Sequence, residues 1–106
     1  MVEEAFGPVL PLLKFTDEAE VIRRANDSIF GLGASVWGKD LRHARRVADK
    51  LQAGTVWINT IHELSPGYTF GGHKQSGLGT ENGLEGLLEY TNAKTIVTNR
   101  GAISRP

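Results

Sequence analysis

The chain of 106 residues contains no cysteine. That absence excludes a disulfide, a thiolate metal site and a thiol nucleophile supplied by these residues. Neither sign of charge is in surplus, since Lys+Arg and Asp+Glu stand at 12 each. The strongly basic field that phosphate-backbone binding requires is missing, so nucleic acid is not an expected partner. No apolar run approaches the roughly 18 residues of a membrane helix, and no membrane contact is expected. The N-terminus lacks a basic segment followed by an apolar one, which argues against a signal or transit peptide and for a cytoplasmic protein. What remains is an ordinary globular composition, 40% hydrophobic and 23% charged. A chain of this length forms one compact domain burying about 65% of its unfolded surface, or a piece of a larger one.

Along the chain, "VLPLLKF" at residues 9–15 is a short apolar run bounded by Gly7-Pro8 and "TDE", as a strand would be. Pro11 predicts an incomplete ladder. Thr16 or Asp17 can accept the free amide hydrogens of a first helical turn. Val21, Ile22, Ala25 and Ile29 then recur at helical spacing, predicting a helix to about Ser28, ended by Gly31. "GASVW" at 33–37 reads as a strand, Gly38-Lys39 as its turn and Asp40 as the cap of a second helix. That helix has an apolar stripe of Leu41, Ala44, Val47, Ala48 and Leu51. Gly54 is expected to close it in the left-handed conformation, before a buried strand "TVWINT" at 55–60. The order β-α-β-α-β calls for right-handed crossovers and a mostly parallel sheet, hence an α/β fold. Residues 61–80 show no sustained periodicity and read as a long, functional loop. A third helix with Leu84, Leu87 and Leu88 on its apolar face follows, and "KTIVTNR" at 94–100 alternates like an edge strand.

Several chemical motifs fail on spacing. "GLGTENG" at 77–83 runs Gly-x-Gly-x-x-x-Gly after a loop, whereas a dinucleotide fingerprint runs Gly-x-Gly-x-x-Gly after a strand. His43, His62 and His73 do not pair at metal-ligand spacing, so no metal site is expected. His73 and Ser76 lack a nucleophile elbow and an orienting carboxylate. Arg42, Arg45, Arg46 and Lys50 are explained by the polar face of an amphipathic helix. The opening "EAFGPV" at 4–9 is not explained by packing alone.

Taken in order, "EAFGPV" (4–9), "FGLGASVW" (30–37), "GTVWIN" (54–59), "FGGHKQSG" (70–77) and "EYTNAKTI" (89–96) resemble the C-terminal portion of NAD(P)-dependent aldehyde dehydrogenases. The likeness runs from about Glu3 to Arg100. Two positions depart from it: Thr69 stands where the family usually has proline, expected to loosen the loop, and Thr80 where an arginine is common, expected to remove an ion pair.

The resemblance implies a division into residues 1–93, part of the catalytic domain, and residues 94–106, an oligomerisation strand and tail. It implies that Glu4 accepts hydrogen bonds from the nicotinamide ribose hydroxyls and that Phe6 lies against the nicotinamide. Phe70 would flank the thiol in the aldehyde tunnel and Leu64 would line the substrate pocket, with His62 or Glu63 toward the tunnel mouth. Aromatic and aliphatic walls suit an uncharged or aromatic aldehyde. The cofactor would be NAD or NADP.

In the family a cysteine thiolate attacks the aldehyde, hydride passes to the nicotinamide, and water releases the acid. The Cys nucleophile, Glu base, Asn oxyanion donor and Rossmann domain of such enzymes lie upstream of the matching region. The chain is therefore expected to carry no catalytic residue, to be inactive alone and to bind cofactor weakly. Homo-oligomers are expected to form through the C-terminal strand. The other readings are a non-catalytic binding or assembly module and a small nucleotide sensor. The alternative to the cofactor roles of the opening cluster is that Glu3 and Glu4 are solvated surface and Phe6 is a core residue.

Overall fold

The computed structural model describes Glu4, residues 6–99 and Gly101. Regular structure begins with α1 (Glu18–Asn26), whose N-cap is Asp17, its side chain accepting the Glu20 amide hydrogen at 2.8 Å. Helix α1 is followed by β1 (Phe30–Gly31), β2 (Gly33–Val36), α2 (Leu41–Ala48) and β3 (Thr55–Ile58). Three two-residue strands occupy the expected loop, β4 (Phe70–Gly71), β5 (His73–Lys74) and β6 (Thr80–Glu81), before α3 (Gly83–Leu88).

The chain is α/β, but its sheets are small. Among the described residues only β2 and β3 pair in parallel, Gly33 opposite Thr55 through Val36 opposite Ile58, with α2 as the crossover. Strands β1 and β5, and β4 and β6, pair antiparallel, so the expectation of a mostly parallel sheet is corrected to three two-stranded sheets. Residues 9–15 form no strand: their apolar side chains are exposed, and a strand exists only where a neighbour supplies a ladder. Residues 94–99 likewise form no strand, for the same reason, with Ile96 and Val97 exposed; residues 100 and 102–106 lie outside the described residues.

Helix packing is limited to one small core. Ile22 of α1 and Ala44 and Ala48 of α2 are its buried apolar residues. Asn26 ties the two helix ends together, its amide donating to the Lys50 carbonyl at 2.8 Å and its oxygen accepting the Gln52 N–H at 2.9 Å. His43 and Glu18 join the same helices by a side-chain hydrogen bond on the exposed side. Helix α3 buries only Gly86, whereas Leu84, Leu87 and Leu88, the expected core face, are exposed. The reading of Gly54 is also corrected. Its φ is not positive, and α2 ends at Ala48 with Asp49 in the right-handed conformation. Glycine is required at 54 because a Cβ there would lie 1.7 Å from the Gly71 carbonyl oxygen.

These features leave a large surface. The accessible area is 9559 Å², against about 5,800 Å² for a compact monomer of this mass. The radius of gyration is 21.5 Å, against about 13 Å for a compact chain of this length.

Candidate functional site

The site region is built around the turn at residues 70–77. Ser76 Oγ accepts the amide hydrogen of buried Gly31 at 2.8 Å, and the Gln75 N–H donates to the Ile29 carbonyl at 2.8 Å. Lys74 Nζ donates to the carbonyls of Asn26 and Ser28 at 2.7 and 3.1 Å, which ties this turn to the exit of α1. Its backbone has φ 56°, a costly conformation for a side chain of this size, held between its own Nζ anchors and the anchored neighbours Gln75 and Ser76. A Cβ at Gly72 would meet Ser76 Cβ at 2.6 Å, so the close turn excludes any larger residue there. "GGHKQSG" is thus a clamp between β1, α1 and the loop.

Phe70 precedes the clamp. It lines three neighbouring cavities of about 330, 250 and 380 Å³. The second is shared with Leu64, Trp57 and Tyr68, the third with Trp57, Ile61 and His62. The structure therefore brings Leu64 and Phe70 to one cavity. Trp57 fixes the loop between them: its Nε1–H donates to the Glu63 carbonyl at 2.9 Å, and its ring meets His62 edge-on at 5.9 Å. Thr60 Oγ1 donates to the Glu63 carboxylate at 2.9 Å.

Glu4 and Phe6 are not brought to this cavity. Both are exposed, Phe6 at 97%, so it is no core residue of this chain. Glu3 lies outside the described residues. The sequence points to neither Lys74 nor the hub Trp57, and it offers Ser76 only as a rejected nucleophile beside His73, not as part of a clamp. A short motif of Gly, Lys and Ser signals a tight turn, but its long-range partners, 45 and more residues away, are set by the fold.

Thr69 and Glu85 add a further contact, Thr69 Oγ1 donating to Glu85 Oε2 at 2.5 Å. This bond, helped by the Glu85 backbone N–H, holds the Glu85 carboxyl below the usual range. Thr69 thus ties the loop to α3. At the far end of the β2–β3 pair, Asn59 bonds both backbone groups of Gly38, at 2.7 and 2.8 Å. Asp40, the N-cap of α2, is held below the usual carboxylate range chiefly by the His43 N–H. The Arg42 N–H and the Arg46 and His43 charges act the same way.

Among the described residues no group of three or more His, Asp or Glu is placed to hold a metal ion. No helix there is long and apolar enough to cross a membrane.

Comparison with known proteins gives a consistent answer. A sequence profile described as the aldehyde dehydrogenase family matches residues 1–96. Betaine aldehyde dehydrogenase 1 of Rhizobium meliloti (strain 1021) is 51% identical over 104 residues, covering 98% of this chain and 21% of that protein. Phenylacetaldehyde dehydrogenase of Pseudomonas fluorescens is 48% identical over 95 residues, covering 90% of this chain and 19% of that protein. The crystal structure of an apo betaine aldehyde dehydrogenase mutant from Staphylococcus aureus superposes with a TM-score of 0.89 at 51% identity, over 94% of this chain and 20% of that one. Structures of the Staphylococcus aureus enzyme in complex with NAD+ are similar as well, one with a TM-score of 0.81 at 53% identity, over 84% of this chain and 18% of that one. The chain spans about a fifth of the length of the relatives it matches, and with the family profile running through residues 1–96 it belongs to the aldehyde dehydrogenase family.

Proposed function

We propose that the chain is a C-terminal portion of an NAD(P)-dependent aldehyde dehydrogenase, which oxidises an aldehyde to a carboxylic acid in the cytoplasm. In this reading residues 1–93 complete the catalytic domain and residues 94–106 supply an oligomerisation strand and tail. The observation that carries it is Phe70, held by the clamp where three cavities meet and sharing one of them with Leu64, Trp57 and Tyr68. Such a wall orients an uncharged or aromatic aldehyde and excludes water from it. With no thiol of its own, the chain oxidises nothing alone; the nucleophile comes from other polypeptide.

The exposed side chains fit one end of the cofactor. An ionised Glu4 can accept two vicinal ribose hydroxyls, and the Phe6 ring can cover a nicotinamide face. The pyrophosphate finds no such fit, because the Gly77–Gly83 spacing is wrong and α3 has only 6 residues. The chain alone therefore binds NAD or NADP weakly. When bound in the whole enzyme, the cofactor accepts hydride from the aldehyde. Residues 94–99, exposed and without a ladder, pair in this reading with a neighbouring subunit of a homo-oligomer.

The test is a hybrid enzyme in which this chain replaces the matched segment of the Rhizobium meliloti betaine aldehyde dehydrogenase. It is expected to reduce NAD+ with phenylacetaldehyde, an uncharged aromatic aldehyde, while the 106-residue chain alone does not. A soluble, folded hybrid without activity would contradict the reading. The second reading, a non-catalytic assembly module, is favoured by the apolar face of α3, Leu84, Leu87 and Leu88, which is exposed. It predicts that the chain binds a full-length subunit while the hybrid stays inert.

A further inference from the structure

We infer that Thr69 is a positioning residue for the Phe70 wall, acting through its hydrogen bond to Glu85 of α3. This rests on the reading of Phe70 as part of the aldehyde site.

Three observations carry it. Thr69 immediately precedes Phe70, and its hydroxyl donates to Glu85 Oε2 at 2.5 Å across 16 residues of chain. The start of α3 is shaped to receive it: Gly83 has φ +61°, and a Cβ there would stand 2.5 Å from Thr69 Oγ1 and 3.0 Å from Thr69 N. The Gly83 N–H in turn donates to the Pro66 carbonyl at 2.9 Å. Two hydrogen bonds thus fasten the segment carrying Leu64 to α3, one at Pro66 and one at Thr69. Strand β4 fastens the following residues, Phe70 opposite Glu81 and Gly71 opposite Thr80. Phe70 is held from both sides, and its ring orientation depends on the tether before it as well as the ladder after it.

The chemistry explains why threonine serves here. A proline limits the backbone before the aromatic by fixing φ. A threonine leaves φ free, and its hydroxyl instead reaches an ionised carboxylate in a charge-assisted bond. The Glu85 carboxylate is ionised at neutral pH in any case, and this contact lowers its pKa further. The apolar face of α3 is exposed, so the Thr69 and Pro66 bonds also fix where this helix lies.

The test compares Thr69→Val, isosteric but without the hydroxyl, with Thr69→Ser, which keeps it. In the hybrid enzyme, Thr69→Val is expected to raise the aldehyde KM about fivefold and leave the NAD+ KM within about twofold, as for a bond acting on one substrate only. Thr69→Ser is expected to match the parent. In a Glu85→Ala background Thr69→Val should add nothing further, because the partner is already gone. An equal rise in both KM values, failure of Thr69→Ser to match, or full additivity with Glu85→Ala would overturn the inference.

A second measurement stands apart from activity. In the 106-residue chain, Thr69→Val is expected to speed hydrogen exchange at the Gly83 amide about fivefold and leave the Asn59 amide unchanged. Equal exchange in parent and variant, or an unprotected Gly83 amide in the parent, would overturn it. An inactive parent hybrid with this exchange difference intact would refute the proposed function and leave the tether standing.

Discussion

The Ser76 hydroxyl accepts the Gly31 amide hydrogen at 2.8 Å, joining two parts of the chain 45 residues apart. With Lys74 and Gln75 beside it, this bond fixes the turn that carries Phe70. Replacing Ser76 by Ala would leave the N–H of buried Gly31 without its partner. The expected cost is about 1–3 kcal/mol. A fall in the urea midpoint at unchanged m-value would register it; an unchanged midpoint would contradict it.

Gly54 faces Gly71 so closely that a Cβ would sit 1.7 Å from a backbone oxygen, a clash no side-chain rotation can relieve. Gly54→Ala is expected to cost at least about 3 kcal/mol, at or beyond the usual range for overpacking. Gly38 has nothing within 4 Å of its Cβ position. Gly38→Ala should stay within about 0.5 kcal/mol of the parent, and thermal melts of the two variants give the comparison.

These two glycines show what the sequence makes legible. Local signals were enough for the caps Asp17 and Asp40 and the helices they start, because each depends on neighbours within a few residues, while the β2–β3 crossover followed from the strand-helix-strand order. Gly54 was misread as a helix terminator because its constraint comes from Gly71. The apolar runs at 9–15 and 94–99 have strand composition, but composition does not supply a ladder partner. For the candidate site, the family pattern named Phe70 and Leu64, which line one cavity, whereas the contacts of Trp57, Lys74 and the Thr69–Glu85 pair depend on groups the local sequence does not show.

Asp40 and Glu85 both titrate below the ordinary carboxylate range in the folded chain. A depressed folded value means that the unfolded chain binds protons first as pH falls. The stabilisation is therefore complete above the unfolded values and is lost as pH drops through the folded ones. Helical circular dichroism and the urea midpoint should fall together below about pH 4. In Asp40→Asn, which keeps a capping oxygen but no charge, the fall should be shallower. An identical pH profile for the variant would contradict the assignment.

Ile96 and Val97 are exposed, on a segment with no strand partner among the described residues. Light scattering on the eluted chain is expected to show self-association that grows with concentration, and Ile96→Lys should reduce it. A strictly monomeric, well-folded parent at high concentration would argue against pairing through this segment.

In the proposed function Glu4 serves the cofactor and Phe70 the aldehyde. Steady-state kinetics of Glu4→Gln and Phe70→Ala in the hybrid enzyme test that division most directly. Glu4→Gln should raise the NAD+ KM about tenfold with the aldehyde KM unchanged, and Phe70→Ala should do the reverse. Parent values for both constants in either active variant, or the same rise in both constants, would contradict it.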